Sequence, residues 1–393
     1  MAKTAILSCI AAAAVLSATT LLASDRVPAP SADDKSAWRL PAVPMPKDNV
    51  SSPARVELGR ALFFDPRLSG NGASSCATCH NPSLGWSDGQ KTAVGFGGAV
   101  LGRATPTIIN TAFNTQFMWD GRKKSLEDQA LGPMKAPDEM NSDFPTVIAR
   151  LGSMPAYKAM FGKAYPGEAI GEETIAKALA AFERTVISRN APFDRWLAGD
   201  TRALTPEQHR GFRVFTDPAK GNCSSCHSGP NFTDNGFHNI GIKSAGTPDL
   251  GRFNIRKVAS MKGAFKTPTL RDIELTAPYF RDGSAATLRE VVEHYARGRR
   301  RPQQPLRRHE AADAVGAGEV GPGRLHALAD GPARRRGRAP ASALGRKAGR
   351  HGQGSSHGRS FIAPPGVVRR EPASGRHGAS LGPLGQPGGP LEA

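Results

Sequence analysis

The chain has few cysteines and, after its first 22 residues, no long apolar run. Only five cysteines occur in 393 residues. Cys9 lies in the apolar run Ala5–Leu22, and the other four belong to two short motifs, so no disulfide is expected. Nothing beyond that run is long and apolar enough to cross a bilayer. These absences predict a protein without disulfides and without a membrane span.

The N-terminus has the features of an export signal. Lys3 precedes the apolar run, and small residues follow it near Ala23. This pattern is typical of a secretory signal peptide over residues 1–23, which is removed together with Cys9. We therefore predict a periplasmic protein.

Acidic residues are the scarcer charged class, with 34 against 52 basic residues and a net charge of +18. Such an excess suggests a nucleic-acid partner. However, residues 299–393 hold 17 Lys and Arg and 6 Asp and Glu, a net +11. Because most of the excess lies in this tail, we predict no nucleic-acid partner.

Two copies of a Cys-x-x-Cys-His motif dominate the sequence. The cysteines are Cys76, Cys79, Cys223 and Cys226, and the histidines are His80 and His227. The motif is the attachment signal of a c-type haem, in which two thiols form thioethers and the imidazole ligates iron. A redox dithiol or half of a zinc site is the alternative, but the histidine in both copies and the export signal favour haem. The sequence predicts two covalently bound haems c.

The rest of the pattern is helical. Apolar residues recur at helical spacing in Val56–Phe64, Ser125–Leu131, Phe144–Leu151, Glu172–Ser188 and Thr205–Phe215. No strand alternation stands out. We predict a mainly α fold with an extended leader over residues 24–49, an N-terminal domain over 50–190 and a C-terminal domain over 191–298. Each domain has a helix before its haem motif.

Several longer motifs resemble one known family. They occupy residues 59–69, 76–80, 117–122, 181–185 and 275–280. In this order they look like the bacterial dihaem cytochrome c peroxidase family, including its methylamine-utilisation (MauG-type) oxidases, over about residues 50–298. The resemblance implies two cytochrome c-like helical domains with one haem each. It also implies that the first haem meets hydrogen peroxide and that the second passes electrons to it.

The resemblance assigns roles around the first haem. It implies that Glu139 is the general acid and base, with Gln129 and Pro133 beside it, and that Trp119 relays charge between the haems. Without it, Glu139 is a solvated loop carboxylate and Trp119 a core residue. Phe96 stands where the ordinary peroxidases carry a capping histidine. Phenylalanine cannot ligate iron, so we predict an open first haem that needs no reductive activation, unless the alignment slips in this Gly-rich stretch.

At the second haem, Tyr295 matches the position at which MauG-type enzymes place a tyrosine and the peroxidases a methionine. An anionic oxygen ligand favours the more oxidised states of iron. His294 and Met261 are the rival ligands, and a packed tyrosine with a satisfied hydroxyl is the plainer interpretation.

The family also holds a calcium ion between its domains. Thr276 and Pro278 match two carbonyl donors, but Ala104 replaces an asparagine ligand, which weakens the site. Trp196 is a further candidate, as a charge exit at the surface or as core packing.

From Arg299 the composition changes to Gly, Pro, Ala and Arg. Read as it stands, residues 299–393 form a basic, disordered tail. Codons read one nucleotide later can spell the glycine turn and closing helix of the family, so we hypothesise a frameshift near Gly298.

The sequence thus predicts a periplasmic dihaem oxidoreductase that reduces hydrogen peroxide. Its partner is a small redox protein, such as a cytochrome c or a cupredoxin, or an oxidisable protein substrate. A homodimer is compatible with the family. The alternatives are a plain cytochrome c peroxidase, a non-enzymatic dihaem electron carrier and an inactive frameshifted product.

Overall fold

A computed structural model describes residues 26–243 and 246–298. The helices are α1 (Ala32–Trp38), α2 (Pro53–Phe63), α3 (Cys76–Cys79), α4 (Leu126–Lys135), α5 (Phe144–Ser153), α6 (Pro155–Ala164), α7 (Glu172–Glu183), α8 (Pro192–Leu197), α9 (Pro206–Thr216), α10 (Phe253–Arg256) and α11 (Leu288–Ala296). Short 3-10 turns lie between them. The two strands β1 (Phe237–His238) and β2 (Phe265–Lys266) pair antiparallel, with Phe237 opposite Lys266. The predicted mainly α fold is confirmed.

Helix α7 is the centre of the N-terminal half. Residues on all its sides are buried, and it packs against both α2 and α4. The approach to α2 is close because Gly59 has no side chain: a Cβ there would lie 1.9 Å from the carbonyl oxygen of Ala178. This contact places α2, and the haem motif that follows it, directly beside α7.

The predicted helix Glu172–Ser188 is too long. Helix α7 ends at Glu183, where the Thr185 amide and hydroxyl both donate to the Phe182 carbonyl. The chain then turns so that the Asn110 side chain pairs with the main chain of Ser188. Hydrogen bonds between side chains and the backbone thus replace the backbone hydrogen bonds of the helix.

Buried apolar residues form two main clusters. The larger one draws its members from residues 54–186 and includes Phe63, Leu179 and Phe182. The second includes Phe193, Trp196 and Phe212. The members of the second cluster come from residues 193–232, together with Val27 and Trp38 of the leader, and the domain boundary near residue 190 stays a prediction.

The leader is not extended throughout. Residues 32–38 form α1, which begins with a reciprocal capping pair between Ser31 and Asp34. Its Trp38 is 6% exposed and packs its ring against Phe193, Phe212 and Phe232. The prediction missed this helix because burial of one tryptophan, rather than a repeated apolar pattern, holds it in place.

Helix α6 was also missed, although Pro155 at its first position is a typical start signal. The helix predicted at Ser125–Leu131 is α4, which continues to Lys135 with Pro133 inside it. Within the two described ranges, no helix has the length and apolarity needed to span a membrane. The predicted signal peptide (1–23) and tail (299–393) lie outside those ranges.

Candidate haem sites and the space between them

The two motif histidines are oriented in the same way. His80 Nδ1 lies 3.2 Å from the Trp86 carbonyl oxygen, and His227 Nδ1 lies 3.0 Å from the Phe232 carbonyl oxygen. A carbonyl only accepts, so each Nδ1 carries the proton and each Nε2 keeps its lone pair. Burial lowers the pKa of both imidazoles, which favours the neutral, ligating form. A carbonyl on the second ring nitrogen is the usual support of a metal-bound histidine.

The backbone presents these carbonyls by an uncommon conformation. Trp86 has a φ of 60° and Phe232 a φ of 51°, both in the left-handed region that bulky side chains rarely adopt. The same device at both motifs is the clearest structural sign that the halves repeat one plan.

The motif thiols are unpaired and half-buried in the protein as described. Cys76 and Cys79 lie on the single turn α3, and Cys223 begins a 3-10 turn that leads to Cys226. Burial raises the pKa of Cys76 to about 12 and that of Cys79 to about 11, so both are protonated before attachment. Two thiols on one turn, followed by an oriented imidazole, fit a covalently held haem at each motif.

A cavity of about 360 Å³ lies beside the first motif. Besides the motif residues Cys76 and Cys79, its lining brings together His80, Trp119, Gln129, Pro133 and Glu139. They come from the haem motif, from the loop before α4, from α4 itself and from the loop after it. The sequence placed them in one site through resemblance, and the fold places them around one cavity.

Glu139 is half-buried at this cavity rather than a solvated loop residue. Burial raises its pKa; Arg122 opposes this shift and Asp138 adds to it. Arg122 is itself bonded to Asp120 at 2.8 Å. A carboxyl with a raised pKa holds its proton to a higher pH than an ordinary glutamate does, which suits a general acid.

No second histidine lines the first cavity among the described residues. Phe96 is half-buried, and its amide donates to the Asp138 carbonyl at 3.0 Å, next to Glu139. The Gly-rich loop is pressed onto this segment, since a Cβ at Gly95 would lie 1.9 Å from the Asp138 oxygen. The open first haem remains a prediction. Two thioether side chains, those of Met118 and Met140, also line this cavity.

Trp119 lines a second, smaller cavity of about 130 Å³ as well as the first. Its Nε1–H donates to the Ala104 carbonyl at 2.8 Å. Its own carbonyl accepts the amide of Lys266 in β2 at 2.8 Å. Lys266 is close enough to His227 to influence the pKa of that imidazole. Trp119 therefore lines the same cavity as His80 and is bonded to a strand residue that lies near His227.

The smaller cavity contains two buried ionisable groups that sequence reasoning did not single out. Glu183 is 5% exposed, and one of its carboxylate oxygens has no hydrogen-bond partner among the described residues. Burial raises its pKa to about 8. Lys266 donates to the Thr267 carbonyl, and burial lowers its pKa to about 8. Glu183 lies inside the motif 181–185 and Lys266 lies outside all the motifs, and only the fold shows that both face one cavity.

Among the described residues, the helix that carries the proposed second iron ligand is only partly covered. Tyr295 and His294 lie on α11, and no residue of this helix is buried. His294 Nε2 is 2.8 Å from the Ile240 carbonyl, so that nitrogen is already engaged. Met261 is half-buried in a 3-10 turn. Tyr295 as the iron ligand stays a prediction.

Cys226, Asp234 and His238 form a cluster within 4.8 Å. His238 Nε2 lies 2.7 Å from Asp234, and its bonds to Cys226 and Asp234 raise its pKa to about 9. Once Cys226 is a thioether it is a poor ligand for a hard cation. The cluster thus belongs to the surroundings of the second motif, and sequence reasoning missed His238.

The predicted calcium donors Thr276 and Pro278 also line the smaller cavity. Ala104, at the asparagine position, offers only main-chain atoms, and its carbonyl already accepts a hydrogen bond from Trp119. The structure adds no further support for the calcium site.

Trp196 is fully buried and donates to the Pro28 carbonyl at 2.8 Å, so the surface-exit alternative is wrong and core packing is correct.

A mainly helical chain with two Cys-x-x-Cys-His turns, two oriented imidazoles and a tryptophan between them defines a dihaem c-type oxidoreductase. A family model described as di-haem cytochrome c peroxidase matches residues 53–202. The chain belongs to this family, and the family implies two haems c.

Three relatives illustrate the relationship. The methylamine utilization protein MauG of Methylorubrum extorquens is 49% identical over 67% of this chain and 75% of its own length. The MauG of Methylophilus methylotrophus is 40% identical over 72% of this chain and 84% of its own length. The cytochrome c peroxidase Ccp of Escherichia coli is 39% identical over 68% of this chain and 58% of its own length. The predicted resemblance to this family and to its MauG-type branch is confirmed.

Solved structures agree. A MauG-like protein associated with microbial copper homeostasis superposes with a TM-score of 0.66 at 30% identity, covering 75% of this chain and 95% of that chain. The diheme peroxidase BthA of Burkholderia thailandensis gives a TM-score of 0.61 at 20% identity, over 72% and 88%, and shows the shared fold.

Proposed function

We propose that this protein is a periplasmic enzyme that reduces hydrogen peroxide at the first haem motif, with electrons arriving through the second. The observation that carries the proposal is the first cavity. The oriented histidine His80 and the half-buried carboxyl of Glu139, whose pKa is raised, line the same space.

The haem, when bound, supplies an iron that accepts peroxide oxygen and exchanges electrons. The overall reaction takes up two electrons and two protons per peroxide and yields two waters. Glu139 moves a proton from one peroxide oxygen to the other, which turns the departing oxygen into water. The amide of Gln129 and the ring of Pro133 shape the space in which the peroxide lies, because both line this cavity.

Trp119 is the proposed relay. Its indole N–H is bonded to a carbonyl, which is not a base. An oxidised Trp119 therefore keeps its proton, and charge passes on without a proton acceptor having to be nearby. The electrons come from a small redox protein or from oxidisable side chains of a protein substrate. Calcium at Thr276 and Pro278, Tyr295 as the second iron's ligand and a homodimer belong to the same proposal.

The test is an absorption titration of the purified, fully ferric holoprotein with hydrogen peroxide, without prior reduction. We expect an immediate change of the Soret band. The variant Glu139→Gln should slow this change by about 10²–10⁴-fold, the usual contribution of general acid–base catalysis. Asp138→Asn is the matched control: it removes an exposed carboxyl on the same cavity and acts on Glu139 only through the least of the three effects on its pKa, so the rate should change little.

Two results would contradict the proposal. If the ferric protein responds only after one-electron reduction, Phe96 does not leave the first site open and a classical peroxidase cycle applies. If it is inert in both states, the chain is an electron carrier or a damaged product.

A further inference from the structure

An exposed basic segment lies beside the second haem motif. We call residues 254–262 the 254–262 surface. All of these residues except the half-buried Met261 are exposed, and Ile255 and Val258 are 42% and 49% exposed. Arg256, Lys257 and Lys262 surround them, and no Asp or Glu occurs between residues 250 and 271. Exposed aliphatic side chains within a ring of one charge are typical of a docking surface.

This segment is ordered by its contacts. Helix α10 and a 3-10 turn over Ala259–Met261 form it. Its base is closed by two main-chain bonds, from Arg252 to Ala264 at 2.8 Å and from Gly263 to Leu250 at 3.0 Å. A preformed surface loses little conformational entropy when a partner binds.

The base connects the surface to both halves of the electron path. The Arg252 guanidinium donates to the carbonyls of Asp120 and Gly121, which directly follow Trp119. The Lys262 carbonyl accepts from Asn239, the residue after β1. In β1, His238 contacts Cys226 of the second motif. The surface is thus joined through β1 to the second motif and through Arg252 to the segment that follows Trp119.

The sequence supplies no acidic residue between Leu250 and Arg271 to neutralise this surface. The ammonium groups of Lys257 and Lys262 lie 5.5 and 5.2 Å from the Phe253 ring centre. Burial, and then the charge of Arg256, lowers the pKa of Arg252. Asp249, the acidic residue just before this run, is held by Arg103 at 2.8 Å. The surface therefore presents positive potential around an apolar centre.

We infer that the 254–262 surface is the docking site of a small redox protein with an acidic face, which delivers electrons to the second haem. This inference rests on the proposed function, because it names the partner of the same electron path. The basic ring steers the acidic partner, and Ile255 and Val258 form the dry centre of the contact.

The test measures binding and turnover separately. The probe is an acidic cupredoxin, with a basic cytochrome c as the comparator of opposite sign. The variant is Arg256→Glu with Lys262→Glu. The control is Lys158→Glu with Lys163→Glu, which makes the same charge change at two exposed lysines of α6. Calorimetry on the ferric holoprotein gives Kd at low and high salt, and guaiacol, a small neutral donor, reports peroxide turnover without docking.

We expect the charge-reversed surface to weaken cupredoxin binding at least about tenfold at low salt, with a rise in KM for cupredoxin and no change in guaiacol turnover. The control should change Kd by no more than about twofold. Ile255→Ser with Val258→Ser should also weaken binding, and Val50→Ser, at an equally exposed valine far along the chain, should not.

The inference is overturned if both charge-reversed proteins bind cupredoxin alike, if wild-type binding is insensitive to salt, or if the basic cytochrome c is the tighter ligand. It is also overturned if the wild type is a dimer that Arg256→Glu with Lys262→Glu dissociates, because the surface then meets a second copy. If the wild-type protein does not turn over guaiacol with peroxide, the proposed peroxide chemistry is refuted. The calorimetry would still decide whether the 254–262 surface is the docking site.

Discussion

Adding one methyl group at Gly59 should destabilise the protein, although alanine is the better helix former. Gly59 lies in α2 where this helix meets α7. A Cβ there would lie 1.9 Å from the Ala178 oxygen, 2.7 Å from the Ala178 carbonyl carbon and 2.9 Å from Phe182 Cβ. Two of these three atoms belong to the backbone, so no side-chain rotation can relieve the overlap.

The expected magnitude follows from two opposing effects. Ordinary contact begins near 3.4 Å, so the helices must separate by roughly 1.5 Å. Overpacking a core in this way costs about 1–3 kcal/mol, and occasionally more. Alanine returns about 1 kcal/mol through helix propensity. Since the clash is with backbone, we expect the larger overpacking values and a net loss of about 2 kcal/mol.

The matched control is Gly162→Ala in α6. A Cβ at Gly162 meets nothing within 4 Å, so only the propensity effect applies there, and stability should rise by up to about 1 kcal/mol. Guanidinium unfolding of the ferric holoprotein, followed by far-UV circular dichroism, compares the two midpoints. The same chemical change should thus shift the midpoint down at residue 59 and up at residue 162. If both variants are equally or more stable than the wild type, the close approach of α2 and α7 is wrong.

Three further outcomes are expected. Trp38→Ala should cost about 3–5 kcal/mol in the same unfolding assay because it empties an aromatic cluster, whereas Leu84→Ala, at a 40% exposed side chain, should cost little. Burial raises the pKa of Glu183 to about 8, so the folded chain keeps a proton that the unfolded chain releases above its ordinary pKa. Glu183 therefore costs more stability as pH rises toward 8, and the stabilisation by Glu183→Gln should grow between about pH 5 and 8 in unfolding curves, with no such trend contradicting the assignment. Trp119→Phe keeps the packing but loses the oxidisable indole and its bond to Ala104, so stopped-flow reoxidation of the pre-reduced second haem by peroxide should slow, while both ferric absorption spectra stay as in the wild type.

Helices with a repeated apolar pattern were predictable, and elements held by a single contact were not. Phe144–Leu151 and Thr205–Phe215 appear as α5 and α9 within a few residues. Helix α1 was missed because its place depends on Trp38 entering a cluster built from residues 193–232. The end of α7 was misplaced because side-chain hydrogen bonds end it. Thr185 donates to the backbone of its own turn, and Asn110, which is far away in the sequence, donates to Ser188.

The candidate site also contains features that the sequence predicts and features that it does not. The haem motifs are local, because thiol spacing and the adjacent imidazole must lie on one turn of chain to meet one porphyrin. The gathering of Trp119, Gln129 and Glu139 around one cavity was expected only through resemblance. The roles of Glu183, Lys266 and His238 had no sequence signal, since a buried charge looks like an exposed one in a linear sequence.

Composition, periodicity and two five-residue motifs therefore determined the class of this protein: a mainly α chain with two covalently held haems. These properties depend on residues close together in the chain, where spacing and chemistry act directly. The tertiary structure decided which carbonyls orient His80 and His227, which carboxyls have a raised pKa beside the first motif, and which exposed aliphatic side chains the basic residues surround. Each of these depends on distance and burial between residues far apart in sequence, which only the packed chain specifies.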